Sequence, residues 1–462
     1  MTARRTIALG LAPLTLLAAG CALRPEPVDR PPPAPPAWRE AVDTGAWPSR
    51  DWWRSFGSTE LDGLVAEAEK DNDDLAAAEA RVREADAQAR IAGAALLPTV
   101  TAGAAPGAAQ HFSMTGKERR YQDLPGTIQA SYEIDFWGKN RAARDAAKSD
   151  ARAAAYDRQV VDLTIVSGVA GAYFQLLSLR EQLTTAEANV AEARNLLADI
   201  QEMEHGGLAT EAQVVQQQSL VDSLAEQLPP LREREAHALD AVAILVGRSP
   251  EAMQVQAHSL AAIKVPAPQA GLPSQLLTHR PDVEAAEGRL AAARADITVA
   301  RAQFLPSFSI SAALGVEGMG VPGGVVGPGV LYNLAMSAVA PIFDGGRLRG
   351  QLELSRAQKA ELLADYIKST RQAFADVEDA LASVQATDEE QQTDQRALDE
   401  ADDSLGLTKT AYEGGTTGVM PVLSAEEATF PGRLAVLKAH AARLQSMVTL
   451  YRALGGGWSA AS

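Results

Sequence analysis

Residues 77–81 read AAEAR, and residues 285–289 read AAEGR, 208 positions further along the chain. The dipeptides Leu97-Pro98 and Leu305-Pro306 have the same separation. The register continues without a gap from residue 75 to residue 247 of the first copy. A fixed period held over this length indicates one structural unit that occurs twice in the chain.

Each copy begins with a helical stretch that proline brings to an end. The stretches Leu61–Leu96 and Val283–Phe304 both stop at a Leu-Pro pair, because proline cannot continue a helix and pushes the preceding residue toward extended geometry. We expect a β-hairpin after each stretch, at residues 97–137 and at residues 305–343.

The hairpins carry alternating apolar and polar residues. Residues 127–136 alternate throughout, and residues 308–314 and 334–342 behave in the same way. The apolar positions of the first segment are Ile128, Ala130, Tyr132, Ile134 and Phe136. A period-2 segment of about ten residues has the length that a tilted strand needs to cross a bilayer. Between the paired strands we expect long turn-rich loops, at residues 106–126 and 315–329.

The number of strands decides how these hairpins can be used. Four strands cannot close a membrane barrel, since the smallest such barrels use about eight, and open edges in lipid would leave backbone groups unpaired. Several copies must therefore share one barrel, and three copies would give twelve strands. The alternative from the strands alone is the edge of a soluble β-sandwich.

A very long helix follows each hairpin. Lys139–Met203 and Arg347–Ala411 contain no proline, so each could extend over roughly 97 Å at 1.5 Å per residue. Apolar residues recur in heptads along the first, which predicts a coiled coil. The second is interrupted by Thr387, Gln391 and Asp394, which predicts either a face on a water-filled lumen or a solvated outer face.

Two glycine pairs end these helices. Gly206-Gly207 and Gly414-Gly415 follow them directly, and glycine is the common residue just beyond a helix C-terminus. Return helices at Glu211–Val246 and Leu423–Leu454 are expected to run antiparallel to the long helices. Pro229-Pro230 should break the first return helix midway.

Composition excludes several classes of protein. The 462 residues carry a formal charge of −17, which disfavours nucleic acid as a partner. A single cysteine excludes an internal disulfide framework. After the leader, we find no run of about 18 apolar residues that would span a bilayer as a helix.

The N-terminus has the parts of a secretory leader. Arg4 and Arg5 precede an apolar stretch, Ile7–Leu17, and the segment Ala18–Cys21 ends in the cysteine. The last four residues resemble a bacterial lipobox, which would make Cys21 the acylated mature N-terminus. The alternative is an ordinary signal peptide with a chance cysteine. A proline-rich spacer follows Cys21.

These features divide the chain into five parts. We expect a lipoprotein signal peptide at 1–20, a lipid-anchored Pro-rich segment at 21–60, a first repeat at 61–247, a connector at 248–280 and a second repeat at 281–458.

Enzymatic motifs are missing from the sequence. The six histidines lie far apart without metal-ligand spacing. Gly318–Gly323 formally matches GxGxxG, but no helix follows it, and the dinucleotide site needs that helix. We expect no catalytic residue, no metal and no cofactor.

Several motifs together resemble a known family. They are the lipobox, Trp52-Trp53, Phe136-Trp137-Gly138, Arg280-Pro281-Asp282-Val283, Pro341-Ile-Phe-Asp-Gly-Gly346 and Leu454-Gly-Gly-Gly-Trp458. They look like the outer-membrane efflux lipoproteins of the TolC family, in the NodT branch that serves RND pumps.

The resemblance implies a fold class, a set of partners and a location. The fold is an α+β membrane protein in which each internally duplicated chain gives four strands to a trimeric twelve-stranded outer-membrane β-barrel, continued by a long α-helical coiled-coil tunnel in the periplasm. The implied partners are two sister copies, a periplasmic adaptor, an inner-membrane RND pump and the lipid of the outer membrane. The implied function is a passive exit duct for drugs and small molecules.

Two other functions remain open from the sequence. One is a type I secretion duct of the same architecture. The other is a non-channel coiled-coil lipoprotein scaffold in the periplasm, for which the alternating strands would be superfluous.

The resemblance also points to a gate at the helix turns. In the family a tyrosine and an Asp–Arg couple close the periplasmic end; Tyr412 stands at the tyrosine's place, but the couple's place reads Ser424-Ala-Glu-Glu427. Threefold symmetry would ring the entrance with the carboxylates of Glu202, Glu204 and Glu413, which favours cations. Solvated helix ends are the alternative for each of these residues.

Overall fold

The computed structural model describes residues 23, 26–28, 33–40, 47–104, 107–112, 118–123, 126–267, 269–321 and 324–458. The expected signal peptide and Cys21 lie outside the described residues. The lipid anchor therefore stays a prediction.

The described chain forms two compact units. The first, which we call the strand unit, contains Arg81–Ala155 and Ala285–Ile367. The second, the helix unit, contains Pro32–Ala80, Tyr156–Glu284 and Lys368–Ser462. Each unit draws on both sequence repeats, so the repeats are not separate globular domains.

The strand unit holds six described strands. They are β1 (Thr99–Ala104), β2 (Gly107–Phe112), β3 (Glu118–Asp123), β4 (Gly126–Ile134), β5 (Ser307–Val321) and β6 (Gly324–Val339). The strands occupy much of the two predicted loops, at 106–126 and 315–329, so those predictions were wrong. The reason is that backbone hydrogen bonds hold an antiparallel ladder together, whatever the side chains.

The six described strands make one antiparallel sheet. They lie along four lines, which we call arms. β1 pairs with β4, β4 with β5, and β5 with β6. β2 pairs with β3, and β3 pairs with β5 at Gly320 and Met319, beyond the residues of β5 that pair with β4. β3 therefore follows the line of β4 along β5, and β2 lies on its other side, as β1 does beside β4. Within the described residues β1 and β6 pair on one side only. The chain thus provides four strands with two free edges.

The register separates an apolar face from a polar face. Ile128 stands opposite Leu314, which stands opposite Tyr332. On the other face Ser131 is opposite Ser311, and its hydroxyl lies 2.8 Å from the hydroxyl of Thr99. The apolar face is exposed, with Tyr332, Leu334 and Met336 each more than two-thirds accessible. This confirms the alternation expected from the sequence.

Eight helices carry the rest of the described fold. They are α1 (Thr59–Asp71), α2 (Asp73–Ala94), α3 (Lys139–His205), α4 (Glu211–Glu226), α5 (Leu228–Val246), α6 (Pro281–Ala302), α7 (Arg347–Glu413) and α8 (Met420–Ala453). Short helical turns lie at Trp52–Phe56, Pro250–Ala252 and Pro273–Leu276. The two long helices have 67 residues each, and they start and stop 208 positions apart.

The first helical stretch is broken where the sequence predicts continuity. Asn72 takes an extended conformation between α1 and α2. Its side chain accepts a hydrogen bond from the amide of Leu75 at 3.0 Å and donates one to the carbonyl of Leu245 at 2.9 Å. A short amide that caps the next helix competes with helix continuation. The predicted break at Pro229-Pro230 is present, between α4 and α5.

The same joint occurs in the second repeat with different chemistry. Arg280 follows Asn72 by 208 positions, and its guanidinium donates to the carbonyl of Ala453, the counterpart of Leu245, at 3.2 Å. Gly455 has a φ of 84°, and a Cβ there would lie 2.0 Å from the carbonyl oxygen of His279. This close approach explains why residue 455 is a glycine.

Among the described helices, α3 alone is long and apolar enough to cross a membrane. An 18-residue stretch of α3 has a mean hydropathy of 1.6, and half of that stretch is buried inside the chain. The expectation that no such segment exists was wrong on composition. Packing explains the composition, because α3 buries Val169, Phe174 and Leu177 completely in the helix unit.

Candidate gating site at the helix turns

The turns after α3 and α7 have the same backbone geometry. Gly207 and Gly415 adopt φ values of 76° and 66°, a left-handed conformation that glycine takes without a steric cost. The amide of Leu208 donates to the carbonyl of Met203 at 2.8 Å, and that of Thr416 donates to Ala411 at 3.0 Å. These bonds satisfy carbonyls that would be left free at a helix end. Gly206 and Gly414 precede the two left-handed residues.

The helix ends pack on a shared apolar core in the helix unit. One cluster joins α3, α7 and α8 through the buried side chains of Ile200, Leu405 and Val422. A second joins α3, α4 and α8 through Ala193 and other residues, namely Val190, Leu197, Val221, Leu224 and Phe430. The turns of the two repeats are therefore packed together within one chain.

Tyr412 lies at the edge of this core. Its ring packs on the first cluster, and its hydroxyl donates to the sulfur of Met203 at 2.7 Å. Burial, together with the charge of Asp199, raises the pKa of Tyr412. The predicted gate tyrosine thus ties the end of α7 to the end of α3 in the same chain.

No hydrogen bond joins any two of the other predicted gate residues in the part of the chain that the structure describes. Glu202, Glu413, Ser424 and Glu427 are exposed, and Glu204 is half-buried. Their role in a luminal ring therefore stays a prediction.

The structure instead reveals a buried carboxylate that the sequence analysis did not select. Glu426 is 0% exposed on α8. The ammonium of Lys409 on α7 lies 3.5 Å from its Oε1, and the amide of Gln217 on α4 donates to its Oε2 at 3.3 Å. The Gln217 amide also donates to the carbonyl of Ala193 on α3 at 2.9 Å. Glu426 therefore sits where four helices meet.

A second carboxylate shares the same lysine. Glu192 on α3 accepts hydrogen bonds from Lys409 and, at 2.8 Å, from Arg433 on α8. Arg433 also pairs with Asp402 on α7 at 3.1 Å and donates to Asn189 at 3.2 Å. We call Glu192, Asp402, Lys409, Glu426 and Arg433 the turn network.

The pKa values of the two glutamates in the network are shifted in opposite directions. Burial raises the pKa of Glu426, and the nearby charge of Glu192 adds to this, against the lowering by Lys409 and Gln217. For Glu192 burial also acts upward, but hydrogen bonds from Lys409 and Arg433 outweigh it, so that its pKa is lowered. Glu192 thus has two cations, while Glu426 has a share of one.

The helical period contains a signal that could have found Glu426. Val422, Leu423 and Phe430 are buried on one face of α8, and Glu426 is placed four positions from Val422 and from Phe430. Residues four apart share a helix face. A glutamate at an apolar position of a helix was therefore visible in the sequence.

Comparison with known proteins identifies the class of this molecule. The family model described as Outer membrane efflux protein matches residues 64–248 and 272–456, two segments that begin 208 positions apart and end 208 positions apart. The chain belongs to the outer membrane efflux protein family.

Three similar proteins illustrate the family. The pyoverdine export outer membrane protein OpmQ of Pseudomonas aeruginosa is 38% identical, over 97% of each chain. The toluene efflux pump outer membrane protein TtgF of Pseudomonas putida is 31% identical, over 96% of each chain. The solved structure of the outer-membrane channel OprN has a TM-score of 0.84 and 25% identity, over 93% of this chain and 98% of that one.

Membership of the efflux family gives the strand unit its environment. The proteins of this family are outer-membrane channels that transport molecules and are not enzymes. The sheet of this efflux channel therefore lies in the outer membrane, and its apolar face, with Leu334 and Met336, faces lipid. The fold expected from the sequence, long helices with a four-stranded share of a barrel, is confirmed.

Proposed function

We propose that this chain is the outer-membrane exit channel of a tripartite efflux system and that three copies form it. The observation that carries the proposal is the four-arm sheet with free edges at β1 and β6 among the described strands. Free edges in lipid leave backbone groups without partners, at a cost of several kcal/mol each. Three copies pair these edges in turn and close a barrel of twelve strands.

The mechanism of such a channel is physical. A continuous water-filled duct spares a polar solute the cost of entering lipid. An inner-membrane RND pump supplies the free energy, and a periplasmic adaptor joins pump and channel. We assign drugs and other small organic molecules as the cargo, since the relatives are named for pyoverdine export and toluene efflux.

Purification from membranes tests the proposal. An unheated sample should migrate as a trimer that heating converts to monomer, and it should conduct ions in a planar bilayer. Deletion of the gene should sensitise cells to dyes and antibiotics. A monomer without conductance would contradict the proposal and favour the scaffold, whereas conductance with loss of protein secretion would favour the type I duct.

We further propose that Cys21 carries the lipid anchor. Replacing Cys21 by alanine should abolish incorporation of labelled palmitate, because the cysteine supplies both the acylated amine and the thiol. The chain should still reach the outer membrane, since the barrel alone spans it. The next residue, Ala22, has no nucleophilic side chain that would take the place of the thiol. Label that persists in the variant would show that the modification lies elsewhere.

We propose that gating takes place at the two helix turns. Glu413, Glu202 and Glu204 then ring the entrance in the trimer and favour cations, while Ser424 and Glu427 stay candidates for contacts at the same end. Glu413→Gln should lower the ratio of cation to anion permeability, measured as a reversal potential under a salt gradient. Glu251→Gln, an exposed acid of the connector, is the control. An unchanged reversal potential in Glu413→Gln would remove this residue from the lumen.

A further inference from the structure

In the described chain, the turn network and two residues beside it contain buried polar atoms that make no hydrogen bond, although Oε1 of Glu426 lies 3.5 Å from the ammonium of Lys409. Among the described residues, Oε1 of Glu426, Oε1 of Gln217 and Oγ1 of Thr429 make no hydrogen bond. All three residues are fully buried. Glu426 and Gln217 are in contact, and Thr429 lies three positions from Glu426, a spacing that shares a helix face. Buried groups of this kind are rare and call for an explanation.

Two of these three atoms are short of donors, because an ionised carboxylate and the amide oxygen of glutamine only accept hydrogen bonds, whereas the hydroxyl of Thr429 can donate or accept. The nearest cation, Lys409, is already hydrogen-bonded to Glu192. A single proton on Glu426 would change this balance, because it would turn one carboxylate oxygen into a donor, and Gln217 Oε1 and the Thr429 hydroxyl are acceptors that make no hydrogen bond of their own within the described residues. It would also remove the cost of a buried charge.

Every element packed around Glu426 contributes to this balance. α3 supplies the carboxylate of Glu192, α7 supplies the ammonium of Lys409, and α4 supplies only the neutral Gln217. On α8 itself Arg433 is committed to Glu192 and Asp402. Protonated Glu426 would leave Lys409 entirely to Glu192, so both carboxylates would be satisfied.

We propose that Glu426 is a proton-binding site and that its protonation keeps the ends of the helices at the two turns packed together. Proton uptake stabilises the packed arrangement of α3, α4, α7 and α8, and the helix ends part less readily. This regulation rests on the proposed function, in which opening requires the turns to separate. The open probability of the channel therefore falls as the pH falls.

The sign follows from the environment of the carboxyl. Packing raises the pKa of Glu426 above its ordinary value of 4.5, so the packed arrangement binds the proton more tightly than the parted one. The packed arrangement gains stability as the pH falls through the raised pKa, and the gain is complete near the ordinary value. A difference of one pKa unit between the two arrangements corresponds to about a tenfold change in their ratio.

Hydrogen exchange on the full-length trimer in detergent tests the site. At pH 4.5 the amides of residues 405–430 should exchange more slowly than at pH 7.5, by up to about tenfold for each unit by which packing raises the pKa of Glu426, after correction for the intrinsic rates. Glu426→Gln is neutral and carries an amide donor, so it should show slow exchange at both pH values. Glu400→Gln, an exposed acid of α7 outside the turn network, should retain the wild-type response. A normal response in Glu426→Gln, or its loss in Glu400→Gln, would overturn the proposal.

A second variant separates titration from a merely structural role. Lys409→Gln removes the shared cation, so the pH midpoint of the response should move upward; an unmoved midpoint contradicts the proposal. Bilayer recordings of the wild type at pH 7.5 test the channel itself. Absent conductance would refute the proposed function, whereas conductance whose pH dependence survives in Glu426→Gln would refute the proton site alone.

Discussion

Replacement of Leu334 by arginine should prevent assembly of the channel in the outer membrane. Leu334 lies on the apolar face of β6, opposite Ala312, and is 77% exposed. An arginine on the lipid face of a membrane barrel costs about 2–4 kcal/mol near the bilayer centre, and a trimer meets that cost three times. We expect loss of the heat-modifiable trimer from the outer-membrane fraction, detected by unheated electrophoresis.

The neighbouring residue provides the control. Ala335 is opposite Ser311, on the polar face of the sheet, so Ala335→Arg should assemble and alter the conductance instead. If both variants assembled equally well, the assignment of the two faces would be wrong. If both failed, the defect would lie in the strand and not in its lipid contact.

Removal of the Arg280 side chain should destabilise the helix unit strongly. Its guanidinium is 11% exposed and contacts Asp282 at 2.7 Å, Asp376 at 2.8 Å and the carbonyl of Ala453 at 3.2 Å. Burial opposes its charge, but hydrogen bonds and charges from the two aspartates outweigh burial and raise the pKa of Arg280. Arg280→Ala leaves two carboxylates and a carbonyl without this partner.

The expected loss is about 3 kcal/mol, at the lower end for breaking a buried ion pair, because both aspartates are about one-third exposed. The temperature at which the trimer dissociates measures it. Arg54→Ala removes an exposed pair with Asp51 at 3.7 Å and should cost no more than about 1 kcal/mol. Adding Asp376→Asn to Arg280→Ala should restore part of the loss. Equal stability of the two arginine variants would contradict this account of the joint.

The sequence predicted the elements whose ends depend on local chemistry. Glycine after a long helix, at Gly207 and Gly415, and proline at Leu97-Pro98 act on their own backbone, so their effect is visible without tertiary contacts. The predicted alternation of apolar and polar residues at 127–136 is present in the structure, because one face of the sheet meets lipid and the other does not. The repeat predicted from the sequence is also present in the structure, where the two long helices α3 and α7 begin 208 positions apart and end 208 positions apart.

The features that the sequence missed depend on partners distant in the chain. Asn72 breaks a helix because the Leu245 carbonyl needs a donor. The polar interruption of α7 was expected to face a lumen or outer solvent, but Thr387 lies 3.0 Å from the hydroxyl of Ser446 and Gln391 accepts from Arg443 on α8. Part of the interruption therefore packs on a neighbouring helix, which neither expectation included. The burial of Glu426 was not predicted, because a glutamate is normally exposed, although its spacing of four positions from Val422 and from Phe430 indicates the buried face of α8.

Fusion of the two repeats has a consequence for the aperture. The position of Tyr412 in one turn is held by Glu204 in the other, and that of Glu413 by His205. A ring of six identical hairpins would have to move all its tips alike. Here tips that carry Tyr412 and Glu413 alternate with tips that carry Glu204 and His205. Residues on every second hairpin can therefore change during evolution without the same change on the hairpins between them.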